Sequence, residues 1–361
     1  MTYANIILPL PLEGYFTYGV PETLAPRIQP GMRVSVPLGK SRMYVGIVAD
    51  YPVNIPDPSG NGCGKEKKIV YRDIVDVLDG APMLLPRQLR LWRWIADYYM
   101  SPIGEVYKAA LPSGLKAEDG FRPRTELYIR LADRFRDGRT LTLMLDSMKR
   151  AAKQVEVLMA YLRLAGVDGM DDFSPSTPLR EVTREELMNV THASVAVVRA
   201  LQERRLLVTY EKEVGRLNSG TASHPERMKP LNEAQTEAYN QTIMQMMTHP
   251  VTLLHGVTSS GKTEIYIHLI QKAVSEHKQV LYLLPEIALT IQITERLQAV
   301  FGSRLGIYHS KYSDAERVEI WKKQLSETPY DVILGARSAV FLPFQRLGLV
   351  IIDEEHEQSF K

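Results

Sequence analysis

Two groups of residues in the C-terminal third have the types and spacing of a site that hydrolyses a nucleoside triphosphate. The first group is a loop that matches G-x-x-x-x-G-K-[ST]. It consists of Gly256, Val257, Thr258, Ser259, Ser260, Gly261, Lys262 and Thr263. The glycines let backbone N–H groups converge on phosphate oxygens, and the N-terminus of a following helix adds positive partial charge. Lys262 would bind the β- and γ-phosphates, and Thr263 would offer its hydroxyl to Mg²⁺.

The second group follows an apolar segment, 349–352, about ninety residues after the loop. Asp353 and Glu354 stand at the end of this segment, and ligands bind at the carboxyl ends of strands in open α/β sheets. Asp353 can hold Mg²⁺ through its water shell, and Glu354 can orient and deprotonate the attacking water. The two groups predict Lys262, Asp353 and Glu354 as catalytic residues, and Thr263 and Asp353 as the metal ligands.

A weaker pattern precedes the loop at Asn232 and Gln235. An amide side chain at this place could bind the adenine edge with paired donor and acceptor atoms, which would make ATP the nucleotide. The alternative interpretation is that Asn232 caps the N-terminus of a helix. The two interpretations are compatible, and both residues are therefore predicted to bind the cofactor.

These groups need a sheet that brings them to one edge. Five segments are rich in apolar and β-branched residues, and helix-like segments separate them. They are 251–254, 279–284, 304–308, 331–334 and 349–352. This alternation predicts a parallel sheet with helices on both faces, in which 251–254 is the strand that leads into the phosphate loop.

Two stretches rich in Gly, Pro, Ser and charge, 112–123 and 215–230, are typical of linkers. They predict three domains, at 1–111, 124–214 and 231–361. The first begins with short β-type runs at 6–12, 33–37, 44–48 and 69–78, and helical spacing follows Pro86. We expect a small β barrel, or a sheet closed by a helix, with the aromatic residues in the core.

The middle part combines a helix over 150–164 with a helix, turn, helix and β run between 184 and 210. That order is typical of a winged helix. Arg199 lies on the second helix of the pair, and Arg204 and Arg205 lie at its end. Two interpretations stay open: DNA contact through a recognition helix, or a spacer that docks proteins.

The composition of the chain excludes several classes of protein. The 361 residues are 45% hydrophobic and 24% charged, which excludes a wholly disordered or collagenous chain. Cys63 is the single cysteine, so an internal disulfide or a cysteine-based zinc site is excluded and a cytoplasmic location is expected. No apolar run reaches the 18 or so residues of a membrane span. With a net charge of +2, DNA contact would have to come from local clusters of charge.

Four segments carry a resemblance to a known family. They are LLPEIALT (283–290), YHSKYSD (308–314), GARSAVFLPF (335–344) and DEEHEQSFK (353–361). An Asp-Glu-x-His segment after a phosphate loop resembles the superfamily 2 helicases, and the series resembles PriA, the family that restarts stalled bacterial replication forks. Segments 8–22, 32–40 and 92–112 are similar to the opening domain of that family. The resemblance implies a multidomain α/β protein with a β-rich 3′-DNA-end-binding domain, a winged helix and a RecA-like first helicase lobe, truncated after Walker B.

The resemblance also implies nucleic-acid contacts. A pocket for the DNA 3′ end would be formed by Phe16, Thr17, Gly39 and Arg72, although the family has an aspartate where Thr17 stands. A hydroxyl binds more weakly than a carboxylate. Single-stranded DNA would lie along the motor lobe, and a further aromatic residue would relay DNA binding to hydrolysis. The residues implied for contact with the strand are Glu286, Thr290, Arg337 and Ser338, and the aromatic residue is Phe360.

The implied activity is that of an ATP- and Mg²⁺-dependent 3′–5′ DNA helicase in replication restart. Its partners would be forked DNA, single-stranded DNA with a 3′ end, primosome proteins and the single-stranded DNA-binding protein. The 361 residues are expected to be an N-terminal fragment that binds DNA and nucleotide without unwinding, with the family's zinc module further along the intact protein. The alternatives are a non-catalytic fork-recognition module, or another superfamily 2 helicase acting on RNA or recombination intermediates.

Overall fold

The computed structural model describes residues 2–39, 42–54, 71–117, 125–148, 151–167, 173–213, 222–257, 260–285, 291–309 and 312–357. The chain divides into two compact units. One consists of Met1–Arg122 together with Leu217–Lys361, and the other is Pro123–Arg216. None of the helices within the described ranges is long and apolar enough to cross a membrane.

The first unit begins with an antiparallel sheet of five strands in the order β2-β1-β4-β3-β5. The strands are β1 (Thr2–Ile7), β2 (Phe16–Val20), β3 (Arg33–Leu38), β4 (Arg42–Val53) and β5 (Asp76–Val77). The N–H of Gly19 on β2 donates to Arg72 O at 2.8 Å, and Gly19 O accepts from the N–H of Ile74 at 3.0 Å. Because Arg72 and Ile74 lead into β5, the sheet closes on itself around an apolar interior, as predicted.

Two helices pack on the outside of this sheet: α1 (Pro86–Tyr98) and α2 (Ile103–Ala110). Proline is favoured at the first position of a helix because its missing N–H would have no partner there. The aromatic residues of α1 do not all join the core. Trp92 is fully buried as expected, but Trp94, Tyr98 and the adjoining Tyr99 are 57%, 65% and 64% exposed. Helical spacing directs one stripe of side chains inward and the others outward, so that prediction is wrong for these three residues.

The start of the predicted linker 112–123 is packed rather than extended. Ser113–Leu115 forms a 3₁₀ turn in which Leu115 is buried. The Asp314 carboxylate accepts the N–H of Ser113 at 2.8 Å and also that of Gly114, and Arg33 donates to the carbonyl of Leu115 at 3.0 Å. The linker prediction is wrong here because Pro, Ser and Gly also favour tight turns whose N–H groups a carboxylate can cap.

The second unit has the element order expected of a winged helix. Its elements are β6 (Thr125–Leu131), α3 (Gly138–Ser147), α4 (Ala152–Leu164), β7 (Val182–Thr183), α5 (Arg184–Thr191), α6 (Val195–Glu203) and β8 (Leu207–Glu213). The strands form an antiparallel sheet in the order β7-β6-β8. His192 ends α5 with a left-handed φ of 48°, and this turn leads into α6, whose Val198 and Leu201 are buried.

The remainder of the first unit is a parallel sheet with the strand order β10-β11-β9-β12. Its elements are α7 (Glu233–Thr248), α8 (Lys262–Ser275), β9 (Gln279–Leu283), α9 (Ile291–Phe301), β10 (Leu305–Tyr308), α10 (Asp314–Leu325), β11 (Val332–Gly335) and β12 (Leu347–Ile352). The sequence predicted these four strands as members of a parallel sheet, and the structure confirms them.

The fifth predicted strand is not formed. Residues 251–257 have no regular secondary structure, and Val251 and Leu253 are 84% and 75% exposed. A strand needs a neighbour to accept and donate its backbone hydrogen bonds. Among the described strands, 251–254 pairs with none, neither with β12 at one end of the sheet nor with β10 at the other.

The parallel sheet is covered on both faces, as predicted. On one face Val280 and Tyr282 of β9 share a core with α8 and α9. On the other face Leu281 and Leu283 share a core with Trp321 of α10 and with residues of α1 and α2. The segments 1–111 and 231–361, predicted as separate domains, therefore contribute to one hydrophobic core.

Candidate functional site

The phosphate loop leads directly into α8. Gly261 caps this helix with a φ of 83°, a backbone conformation that glycine adopts without steric cost. The Lys262 ammonium donates to the carbonyls of Gly256 at 2.8 Å and Val257 at 3.1 Å. Thr258 and Ser259 lie outside the described residues. The lysine is thus held inside its own loop, where a phosphate group would compete with the two carbonyls for it.

Helix α8 and strand β12 meet at the same edge of the sheet. Only residues 276–278 separate α8 from β9, so the helix runs back along the sheet and its N-terminus lies where the parallel strands end. Asp353 directly follows β12, and its N–H donates to the carbonyl of Leu283, the last residue of β9, at 3.0 Å. The fold therefore brings the loop and Asp353 to the carboxyl edge, where the sequence placed both.

Two tyrosines surround the Asp353 carboxylate. The hydroxyl of Tyr282 on β9 donates to Asp353 Oδ2 at 3.0 Å, and the backbone N–H of Glu354 donates to Oδ1 at 3.1 Å. The ring of Tyr266 on α8 packs edge-on against Tyr282 with centroids 5.6 Å apart. Burial and the negative charge of Asp353 raise the pKa of Tyr266 to about 12 and also raise the pKa of Tyr282. The helix of the phosphate loop is thus connected to the acid through aromatic contacts.

Sequence reasoning missed both tyrosines. Tyr282 lies in the middle of an apolar strand, and a hydroxyl in such a run needs a partner when it is buried. Tyr266 is four residues after Lys262, so the two share a face of α8. Both features could have indicated the two tyrosines as residues of the site, but neither identifies Asp353 as their partner.

The remaining predicted catalytic and metal-binding residues lie nearby. Thr263 is half-buried in the first turn of α8, and Glu354 is exposed. Glu354 adopts a φ of 54°, and its Oε2 lies 3.7 Å from Nε2 of His356. Thr263 and Asp353 offer a hydroxyl and a carboxylate, and such oxygen ligands suit Mg²⁺. The donor set therefore fits the predicted metal.

Asn232 and Gln235 form a reciprocal cap at the start of α7. Asn232 Oδ1 accepts the N–H of Gln235 at 2.8 Å, and Gln235 Oε1 accepts the N–H of Asn232 at 3.0 Å. Gln235 Nε2 also donates to Gly261 O at 3.4 Å. The helix-cap interpretation is confirmed. The adenine contact stays a prediction, and the Gln235 amide has a second N–H and a second lone pair with which it could be made.

The predicted single-stranded DNA residues of the motor lobe lie only in part among the described residues. Glu286, Thr290 and Phe360 are outside them. Arg337 is exposed and Ser338 half-buried in a 3₁₀ turn, Arg337–Phe341, that follows β11 at the carboxyl edge. This edge therefore combines the predicted nucleotide residues with a basic side chain that can neutralise a phosphate.

Of the four residues predicted for the DNA 3′ end, Phe16 and Thr17 lie on β2, Gly39 directly follows β3, and Arg72 precedes β5. The guanidinium of Arg72 donates to the carbonyl of Gly39, which has a φ of 71°. Phe16 is half-buried, and it packs against the interior of the sheet with Tyr18. The Tyr18 hydroxyl donates to the carbonyl of Pro37 at 3.1 Å. The structure thus joins Arg72 to Gly39, and Tyr18 links the strand of Phe16 to the end of β3.

Thr17 is directed differently. Because side chains alternate along a strand, it lies on the face of β2 opposite Phe16 and Tyr18. Its hydroxyl donates to Asn5 Oδ1 on β1 at 3.0 Å. A threonine in this position therefore contributes to strand pairing, and Asn5 was missed from the sequence.

The outward face of α6 carries few cations. Arg199 is paired with Glu203, with Nε 3.4 Å from Oε1. Arg204 and Arg205 lie past the end of the helix, where their carbonyls accept from Arg134 at 3.1 and 3.4 Å. Beside them is an open groove of about 630 Å³ that Arg134 and Arg205 help to line. The positive charge lies beside the helix rather than along it, and DNA contact and protein docking both stay predictions.

Comparisons with known proteins cover the chain from end to end. Family models match in sequence order: a 3′ DNA-binding domain of PriA at 5–112, a winged-helix domain of PriA helicase described for Bacteroidota at 126–214, and a DEAD/DEAH box helicase at 232–361. The DEAD/DEAH match implies the use of ATP and Mg²⁺.

Curated relatives give the same result. The replication restart protein PriA of Haemophilus influenzae is 31% identical over 362 residues, which is 100% of this chain and 45% of the relative. That of Bacillus subtilis is 30% identical over 413 residues, covering 100% and 50%. That of Helicobacter pylori is 42% identical over 136 residues, covering 38% and 22%. The chain spans half or less of the length of these relatives. It belongs to the PriA family of replication restart proteins and corresponds to the N-terminal part of its members.

Proposed function

We propose that this chain supplies the DNA-recognition part and the first motor lobe of an ATP-dependent 3′–5′ DNA helicase that acts at stalled replication forks. The observation that carries the proposal is the connection of the phosphate-loop helix to Asp353 through Tyr266 and Tyr282. The same compact unit contains the segment that matches a 3′ DNA-binding domain, so nucleotide chemistry and DNA-end recognition are combined in one body.

In the nucleotide site, the loop amides and Lys262 bind the β- and γ-phosphates, while Thr263 and Asp353 hold the metal. Bound Mg²⁺ would offset charge that develops on the phosphates. Glu354 accepts a proton from a water molecule whose oxygen forms a bond to the γ-phosphorus. The bond from that phosphorus to the β–γ bridging oxygen breaks, and ADP and phosphate leave.

In the DNA site, Phe16 stacks on the terminal base of a 3′ end, and Arg72 adds positive charge beside Gly39. Two observations support these roles: Arg72 is bonded to Gly39 O, and Phe16 is only half-buried, so part of it stays open to a ligand. Arg337 and Ser338 bind the backbone of a single strand at the carboxyl edge. Glu286 and Thr290 contribute to the contact with the same strand. Phe360 relays that binding to hydrolysis. The protein partners are primosome proteins and the single-stranded DNA-binding protein.

Residues 232–361 match a DEAD/DEAH box helicase, and we assign them to the first motor lobe. By themselves we expect them to bind forks with an accessible 3′ end and to bind nucleotide, with little or no unwinding. A second lobe supplies arginine residues that contribute on the order of 10³-fold or more to the rate of phosphoryl transfer.

Two variants of the 361-residue chain test the proposal. Lys262→Ala should lose binding of a fluorescent ATP analogue and keep fork binding. Phe16→Ala should keep binding of the ATP analogue and bind forks with a free 3′-hydroxyl more weakly. If the chain were a fork-recognition module without nucleotide chemistry, the wild type would not bind the analogue. Preference for an RNA duplex over a DNA fork would favour another superfamily 2 helicase.

A further inference from the structure

Gln88 is a buried polar residue whose two polar ends have different partners. It lies in the first turn of α1 and is 5% exposed. Its Oε1 accepts the N–H of Leu85 at 2.8 Å, which caps the helix. Its Nε2 donates to the carbonyl of Phe341 at 2.6 Å. The first bond serves α1, and the second crosses from the N-terminal segment to the motor lobe.

The lobe fixes this end of α1 at a second point. The indole N–H of Trp321, fully buried on α10, donates to the carbonyl of Met83 at 2.9 Å. Met83 and Leu84 precede α1 and belong to the same hydrophobic core as Trp321. The motor lobe therefore fixes the position at which α1 starts. Within this interface, Gln88 is the residue that is bonded to the Arg337–Phe341 turn.

The turn itself is tightly constrained at its beginning. The N–H of Ala336 donates to Tyr308 O at 3.1 Å, and the N–H of Ala339 donates to Ala336 O at 2.8 Å. A Cβ added at Gly335 would come within 2.6 Å of the carbonyl oxygen of Tyr308. At its other end the turn is held by the bond from Gln88 to Phe341 O. Removal of Gln88 would leave that part-buried carbonyl without this donor, and a shift of the turn would let the carbonyl find another partner.

We infer that Gln88 is a positioning residue for DNA binding: it holds the Arg337–Phe341 turn so that Arg337 meets the strand. The inference rests on the proposed function of Arg337. Helix α1 also supports the proposed 3′-end pocket, since Arg93 donates to Asp50 at 2.7 Å and to the Tyr15 hydroxyl at 3.0 Å, and Tyr15 precedes Phe16. One helix thus sets the geometry between the two DNA contacts.

The test uses closed circular single-stranded DNA, which has no 3′ end and so isolates the motor-lobe contact. Binding to the 361-residue chain is measured by competition at fixed salt for the wild type, Gln88→Met, Arg337→Ala and the double variant. We expect Arg337→Ala to weaken binding about tenfold, because it removes a phosphate contact, and Gln88→Met about fivefold, because it displaces that contact. The double variant should bind like Arg337→Ala, since residues that act through one contact are not additive.

Trp321→Phe is the matched control, because it removes the neighbouring bond to Met83 O and leaves Gln88 in place. It should bind circular DNA like the wild type. Gln88→Leu is a second variant should Gln88→Met fail to fold. Wild-type binding by Gln88→Met, or losses that multiply in the double variant, would overturn the inference while the proposed function stands. Unchanged binding by Arg337→Ala would overturn both.

Discussion

The hydroxyl of Tyr282 donates to Asp353 Oδ2 at 3.0 Å, across two neighbouring strands of the parallel sheet. Tyr282 is fully buried, so water does not replace this bond readily. With Oδ1 accepting the N–H of Glu354, both oxygens of Asp353 have a donor from the protein. Such contacts to a metal-binding carboxylate fix its orientation and tune its affinity.

Replacement of Tyr282 by Phe should weaken the metal-dependent part of nucleotide binding. The change removes one hydroxyl and keeps the ring, so the core is preserved while Asp353 Oδ2 loses its donor and the carboxylate is held by Oδ1 alone. We expect the affinity for Mg²⁺, measured by titrating the metal into the chain with a fluorescent ATP analogue, to fall about tenfold. Binding of the analogue in excess chelator should not change. An unchanged Mg²⁺ midpoint would show that the hydroxyl does not orient Asp353.

Stability should depend on Tyr266 at high pH. Its folded pKa of about 12 exceeds its ordinary value of 10.0, so its contribution is present below pH 10 and is lost as the pH rises toward 12. Between pH 9 and 11, we expect the free energy of unfolding of the wild type to fall by about 1 kcal/mol more than that of Tyr266→Phe. Urea unfolding measures this. Tyr98→Phe, at an exposed position, should follow the wild type, and parallel losses in all three proteins would contradict the prediction.

Gly261→Ala should remove nucleotide binding. A Cβ there would lie 2.2 Å from Nε2 of Gln235, in addition to the strain of a φ of 83°. Gly166→Ala is the matched control, with a φ of 85° and nothing within 4 Å of the added Cβ. Both variants should lose about 1 kcal/mol of stability from the backbone. The Gly261 variant alone should bind the ATP analogue at least tenfold more weakly. Equal analogue binding by both glycine variants would contradict this role of Gly261 in the loop.

Thr17→Asp should sharpen recognition of a free 3′ end. The hydroxyl of Thr17 is engaged by Asn5, whereas a carboxylate would accept a hydrogen bond from a 3′-hydroxyl more strongly. We expect the ratio of affinities for forks with a free and a phosphate-blocked 3′ end to rise several-fold. Fluorescence anisotropy measures the ratio, and Thr17→Val serves as the control of similar shape. A ratio that stays the same in Thr17→Asp would exclude this position from contact with the terminus.

The sequence predicted those features that depend on local pattern. The phosphate loop, the helix after it and the position of Asp353 follow from spacing and from the rule that parallel strands end at one edge. Segment 251–254 was predicted as a strand because it is apolar, but strand formation depends on a neighbour that its own residues do not specify. The exposure of Tyr98 and Tyr99 could not be predicted either, because the spacing of apolar residues does not determine how wide the buried stripe of α1 is.

Contacts between distant parts of the chain could not be predicted. Gln88 and Phe341 are 253 residues apart, and each occurs in a segment with its own local explanation, a helix start and a turn. The contact between Thr17 and Asn5 on the neighbouring strand, and the contact between Tyr282 and Asp353, could not be predicted either. These pairs arise from tertiary packing, which a single sequence does not reveal without knowing which faces meet.

In the proposed nucleotide site, the phosphate loop and Asp353 act on one metal-bound triphosphate. The most direct measurement is binding of an ATP analogue to the wild type, Lys262→Ala and Asp353→Asn, with and without Mg²⁺. We expect Mg²⁺ to strengthen binding to the wild type, Asp353→Asn to keep only the Mg²⁺-independent binding, and Lys262→Ala to lose both. If Asp353→Asn responded to Mg²⁺ as strongly as the wild type, the phosphate loop and Asp353 would not share an ion, which would contradict the proposed function.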